Sequence, residues 1–223
     1  MKETAQAYDR LAAVYDERWR HYLDETLDWV SRHVEARWPL LLLDVGCGTG
    51  ELIQRLKNHM RETFFIGLDP SAAMLGRADL KFPEGDGRTA LVRASAERIP
   101  LRSGSFEWVT CVNSLHCVQE PERAIGEMAR VLRPEGKLLL IDWSRQSWLC
   151  RLLDVWCRRF DPTHVAMYRP DEVKEMLERA GLSLLAIEDF RVGGPAGLRL
   201  WEMMSLTAVK PASGLPASSG LAA

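Results

Sequence analysis

The chain lacks any apolar run approaching the roughly 18 residues that would read as a membrane-spanning helix. Its first 20 residues carry charge throughout and contain no continuous apolar stretch of the kind a secretory leader needs. Cysteine is sparse and unpatterned. Cys47, Cys111, Cys117, Cys150 and Cys157 are odd in number, form no C-x-x-C pair and share no zinc spacing with histidine. A disulfide framework and a structural metal are not expected, and a reducing cytoplasmic setting is. An excess of one charge is missing too. Lys and Arg total 29 against 31 Asp and Glu, a formal net charge of −2, which argues against a general nucleic-acid partner.

Several reaction signatures are also absent. There is no G-x-x-x-x-G-K-[ST], so no phosphate-cradling P-loop. There is no G-x-G-x-x-G, because Glu51 stands where spacing would allow a dinucleotide fingerprint to continue. A Ser/His/Asp hydrolase is unsupported without G-x-S-x-G. What is present is an apolar strand pattern over 40–45 that runs through Asp44 into Gly46, Cys47, Gly48, Thr49 and Gly50. Glycines at this spacing suit a turn with positive φ and close approach of backbone to a ligand. Glu51 then opens a helical stretch, which puts the turn at a helix N-terminus. The next apolar strand, Phe64–Asp69, ends in an acid, and a carboxylate there can accept hydrogen bonds from both hydroxyls of a ribose.

Apolar and helical segments alternate along the rest of the chain. Strands are expected at 40–45, 64–69, 91–94, 106–112 and 137–142, with helices at 51–59, 72–79 and 121–132. That alternation predicts an α/β, Rossmann-like doubly wound sheet, mostly parallel, with ligands outside the carboxyl ends of its strands. Asp44, Asp69, Asn113 and Asp142 then fall on one rim. A helix from Pro170 to Gly181 and two further strands, 184–190 and 201–208, complete a seven-stranded sheet with an antiparallel C-terminal strand. The predicted organisation is one unit over 1–210. Helical covers span 1–38, where Pro39 marks the join to the first strand, and 143–169. A disordered Ala/Ser/Gly/Pro-rich tail spans 211–223.

The D-x-G-x-G-x-G turn followed by a strand ending in Asp69 resembles the first motifs of class I S-adenosylmethionine-dependent methyltransferases. Residues 7–16, with Tyr8, Asp9, Tyr15 and Asp16, are similar to the Y-D-x-x-A-x-x-Y-D opening of the ubiquinone/menaquinone-biosynthesis group. The resemblance extends to Leu68-Asp69-Pro70 with Met74, to Ser95-Ala96-Glu97, to Asn113-Ser114-Leu115-His116, and to the turn Arg133-Pro134-Glu135-Gly136. It departs from the family pattern at Ser95, which is usually Asp, and at Glu135, which is usually Gly. It implies S-adenosyl-L-methionine as cofactor. It also implies a donor site built from Tyr15, Asp44, Gly46, Cys47, Gly48, Gly50, Asp69, Pro70, Met74, Ala96, Glu97 and Asn113.

Methyl transfer needs a cleft, a water-excluding cover and, for a protonated nucleophile, a base. His116, three residues beyond a strand end, is the candidate base, and the alternative is a histidine that only lines the pocket. His164 is the runner-up at the mouth. On a helix over 147–160, Trp148, Leu152, Trp156 and Phe160 recur every fourth residue. This face is expected either to pack inward as core or to wall an acceptor pocket with Trp19 and Trp143. The predicted activity is methyl transfer to a small aromatic or apolar molecule by a monomer or homodimer that neither binds nucleic acid nor inserts in a membrane. A protein or nucleic-acid methyltransferase and a cofactor-binding regulator without turnover are the rivals. The strand end lacks the N-P-P-[YF] of base-amine methylation.

Overall fold

The computed structural model describes residues 2–34, 40–82, 87–193 and 201–212. Expectations for Pro39, for most of the connection over 191–200 and for the tail beyond 212 lie outside the described residues. The N-terminal region forms helices α1 (Lys2–Leu11), α2 (Tyr15–Arg18) and α3 (Arg20–His33). Strands and helices then alternate: β1 (Leu41–Val45), α4 (Glu51–His59), β2 (Phe64–Asp69), α5 (Ala72–Asp79), β3 (Thr89–Arg93), β4 (Phe106–Val112) and α6 (Pro121–Val131). After β5 (Leu132–Trp143) come α7 (Trp148–Phe160), α8 (Pro170–Arg179), β6 (Ser183–Val192) and β7 (Trp201–Val209).

The seven strands lie in the order β3-β2-β1-β4-β5-β7-β6. β1 to β5 are parallel, and β7 runs antiparallel to both β5 and β6, as the sequence predicts. Side chains alternate between two cores, following the two-residue period of a strand. Leu43, Val45, Leu138 and Leu140 pack with α6 and α8 through Ile125, Met128, Val173 and Leu177. Leu42, Leu139 and Ile141 pack on the other face with Leu27 and Val30 of α3 and Ile53 and Leu56 of α4. Gly67 sits inside β2 because a Cβ there would come within 2.9 Å of both Cys47 Sγ and Ile53 Cδ1. That close approach seats the glycine turn on the sheet.

Two segments differ from expectation. β5 begins at Leu132 rather than 137, and Glu135 holds a positive φ of 65° where the related pattern carries glycine. The second difference bears on function. The every-fourth-residue apolar stripe of α7 neither packs inward nor all faces a pocket: Trp148, Leu152, Trp156 and Phe160 are exposed, and Cys150, Asp154 and Cys157 are buried instead. The polar Asp154 wins the inward position because it accepts from His164 Nε2 at 2.8 Å, from the Met167 backbone N–H at 2.7 Å and from Arg158. A three-partner buried carboxylate outweighs the helix's apolar periodicity.

Candidate active site

The turn after β1 is fixed by hydrogen bonds from the backbone N–H groups of Gly46 and Cys47 to Leu68 O, at 2.7 and 3.0 Å. Gly46, Gly48 and Gly50 all have positive φ. Their reasons differ. A Cβ on Gly46 would lie 2.5 Å from Ser114 Cβ, whereas a Cβ on Gly48 would meet nothing within 4 Å and would project into open space. The Gly48 N–H donates to Asp69 Oδ2 at 3.0 Å, and Ser71 N–H donates to Oδ1 at 2.8 Å. Asp69 thus ties the glycine turn to the start of α5, and its remaining lone pairs are free to accept from a bound ligand.

One cavity lies over this turn, lined by Gly46, Gly48, Asp69, Pro70, Met74, Ala96, Glu97, Asn113, Tyr8 and Tyr15. Most of the predicted donor set therefore converges. Asp44 and Cys47 line a smaller adjoining pocket beside the first turn of α4, together with Gly46 and Gly48. Gly50 lines neither: it is the left-handed residue that starts α4, a structural place rather than a contact position. The N-terminal helices close over the cleft through polar contacts. Asp9 accepts from Ser71 Oγ and the Ala73 N–H at the start of α5, which holds its carboxyl below the usual range. Asp16 accepts from Thr49 Oγ1 and Lys81.

The cleft is rich in carboxylates. Burial pushes Asp44 up to about 7, partly offset by the Thr110 hydroxyl that donates to it at 2.8 Å. Burial pushes Asp69 up to about 6 against the opposing backbone N–H bonds. Both therefore bind protons more tightly folded than unfolded, where Asp titrates near about 3.9. Their stabilising effect is complete below about pH 4 and is lost as pH rises through 6 to 7. A cationic ligand reverses that loss by favouring the ionised forms. Cofactor affinity is accordingly expected to fall by up to about tenfold per pH unit for each carboxylate, starting below 7 with Asp44 and steepening below 6 with Asp69, with proton release on binding near neutrality. Calorimetry across pH 5 to 8, in buffers of different ionisation enthalpy, checks both.

A larger cavity of about 350 Å³ opens beside the first, walled by Tyr8, Trp19, Tyr22, Trp143, Trp156, Phe160 and Trp201, with Arg18 at its edge. Tyr15 and Asn113 line this cavity and both pockets of the donor cleft, which makes them the junction of the whole site. Asn113 follows β4 with φ 53°, a left-handed value that asparagine adopts more readily than most residues. Its Oδ1 accepts from the Tyr22 hydroxyl at 2.5 Å, and that hydroxyl accepts from Trp143 Nε1 at 2.7 Å. The Asn113 side-chain nitrogen is buried and has no partner among the described residues, so it retains a donor for a ligand.

His116 lines the larger cavity and is paired with Asp142 at the end of β5. Its Nδ1 lies 2.7 Å from one carboxylate oxygen, and its backbone N–H donates to the other at 3.0 Å. The ring stacks on Trp143 at 4.5 Å. Burial pushes the imidazole down, but the Asp142 carboxylate and Cys117 outweigh it and raise it well above its usual value. His164 does not sit at the mouth. It is buried behind His116 and Trp143, is bound to Asp154, and burial lowers its affinity for protons. Asp142 was visible in the sequence as a rim residue, but its partnership with His116 was not. Tyr22 stands in no motif of the sequence.

Comparison with known proteins agrees with this geometry. A methyltransferase domain family matches residues 43–140. An uncharacterized methyltransferase of Mycobacterium tuberculosis is 29% identical over 99% of this chain and 93% of its own. A ubiquinone/menaquinone biosynthesis C-methyltransferase of Campylobacter jejuni is 31% identical over 48% of this chain and 46% of its own. In three dimensions the chain superposes on a Thermotoga maritima S-adenosylmethionine-dependent methyltransferase described as a possible histamine N-methyltransferase. That match has TM-score 0.75 and 22% identity, covering 93% of this chain and 99% of the other, and it speaks to fold. A glycine turn opening on unfilled space, carboxylates facing the cleft and a junction with a second cavity suit a nucleoside with a charged amino-acid arm. Residues 43–140 carry a methyltransferase domain, and over its length the chain is similar to S-adenosylmethionine-dependent methyltransferases.

Proposed function

We propose that this enzyme methylates a small aromatic or apolar acceptor held in the tryptophan-walled cavity, and that His116 removes the acceptor's proton. The observation that carries the reading is the junction itself: Tyr15 and Asn113 line donor cleft and aromatic cavity together, with His116 on the acceptor side. Helices α1 to α3 and the segment 143–169 serve as the two covers of this site. When bound, S-adenosylmethionine supplies an electrophilic methyl group on a cationic sulfur. Asp69, with Pro70, Met74, Ala96 and Glu97, holds the nucleoside side, and Asp44, Gly46, Cys47 and Gly48 face the amino-acid side.

The Tyr22 hydroxyl fixes the plane of the Asn113 amide, whose side-chain nitrogen has no partner among the described residues. The aromatic walls exclude water and orient the acceptor, an effect that can supply about 7–11 kcal/mol. With Nδ1–H donated to Asp142, Nε2 of neutral His116 is the basic atom that accepts a proton from a phenol, thiol or acidic carbon. The raised imidazole is a stronger base, available at higher pH. Five free thiols suit a cytoplasmic setting.

A panel of small phenols, quinols, amines and thiols incubated with methyl-labelled cofactor tests the proposal. Label is expected in an aromatic or apolar small molecule and absent from added protein and RNA. Label confined to protein or RNA, or none anywhere despite bound cofactor, would overturn it.

A further inference from the structure

We propose that α7 is a docking face for an anionic lipid surface, on which the protein lies with the rim of its aromatic cavity at the interface. Trp148, Leu149, Leu152, Val155, Trp156 and Phe160 are all exposed, Trp148 at 71%. Their spacing of three and four residues gathers them into one stripe. No packing among the described residues covers it, and a contiguous apolar strip of this kind marks an interaction site.

The charges beside the stripe select its occupant. Arg151, Arg158 and Arg159 are exposed along the helix, and its one acid, Asp154, is buried against His164 and Arg158. The Arg159 guanidinium lies 5.4 Å over the Phe160 ring, inside the stripe. Asp161, just beyond the helix, is engaged by the backbone N–H and hydroxyl of Thr163. Arg145, just before it, is paired with Glu172. The outward face is thus apolar and cationic. Tryptophan and arginine around aliphatic side chains is the composition of a helix lying in a lipid interface. Two copies packed symmetrically through this face would set the cationic stripe against itself. Negative headgroups satisfy the arginines and the acyl boundary covers the apolar side chains.

Position supplies the third argument. Leu153, Trp156 and Phe160 of α7 also line the aromatic cavity, so stripe and cavity rim are continuous. No helix among the described residues is long and apolar enough to cross a membrane, so the contact is peripheral. The docking itself does not depend on which acceptor the cavity takes, because it is measured without one.

The test floats the full chain with vesicles of phosphatidylcholine alone or mixed with phosphatidylglycerol, at low and high salt. Binding is expected only to the mixed vesicles, weakened by salt, with an enhanced tryptophan signal. The triple variant Trp148→Ser, Leu152→Ser, Val155→Ser changes no cavity-lining residue and is expected to weaken binding at least about tenfold. Arg151→Glu with Arg159→Glu removes the electrostatic part, worth about fivefold per arginine. Unchanged cofactor affinity certifies that both variants are folded. Absence of binding to mixed vesicles, or equal binding by folded variants, overturns the proposal. So does a wild-type dimer that the triple variant dissociates, which would make a second copy the occupant.

Discussion

Replacing His116 with Ala is expected to lower kcat by about 10²-fold or more, with cofactor affinity little changed. The reason is geometric. The imidazole lines the acceptor cavity, is held by Asp142 at 2.7 Å and stacks on Trp143, so its accepting nitrogen has a fixed direction. The wild-type rate is expected to rise with pH through a titration above the ordinary histidine value of about 6.5, because Asp142 raises the ring and it must be neutral to accept a proton. Asp142→Asn should move that limb down toward the ordinary value. His164→Ala should leave the pH profile in place, since that ring is bound to Asp154 away from the cavity. Steady-state rates across pH for the three variants check these outcomes. A small loss in His116→Ala, confined to acceptor KM with the profile retained, would leave positioning as the mechanism.

Gly48→Val is expected to abolish cofactor binding while the fold survives. The backbone there has φ 53°, which a β-branched residue adopts only under strain, and the added side chain would project into unfilled space over the turn. Nothing within 4 Å blocks it, so the damage falls on the ligand rather than on packing. Gly46→Val is the contrasting variant, because its Cβ would collide with Ser114 and lower the melting temperature as well. Asp69→Ala is expected to weaken the cofactor at least about tenfold, through lost acceptor oxygens and a loosened turn. Calorimetry and thermal melts on the three variants separate these effects. Wild-type affinity in Gly48→Val would make the turn purely structural.

The donor half of the site was legible because its requirements are local. A left-handed turn needs glycine within a few residues, and a strand-end carboxylate follows one βα unit later, so Gly46, Gly48 and Asp69 announce themselves. The acceptor half depends on partners distant in sequence. Asp142 meets His116 across neighbouring strand ends, and Tyr22 reaches Asn113 and Trp143 from a helix 91 and 121 residues away. Periodicity located α7, and Trp156 and Phe160 do wall the cavity with Trp19 and Trp143, but Trp148 and Leu152 face outward because hydrophobic spacing gives the shape of a stripe and not the direction it faces. A single buried carboxylate, Asp154, with three partners set that direction. His164 was misplaced for the same reason, being drawn inward by Asp154.

The most direct measurement is a crystal structure of the full chain with S-adenosylhomocysteine, the demethylated cofactor. The ribose should meet Asp69, and the sulfur should lie at the junction of Tyr15 and Asn113, facing the cavity that holds His116. A complex with the ribose away from Asp69, or the sulfur turned from the aromatic cavity, would contradict the account.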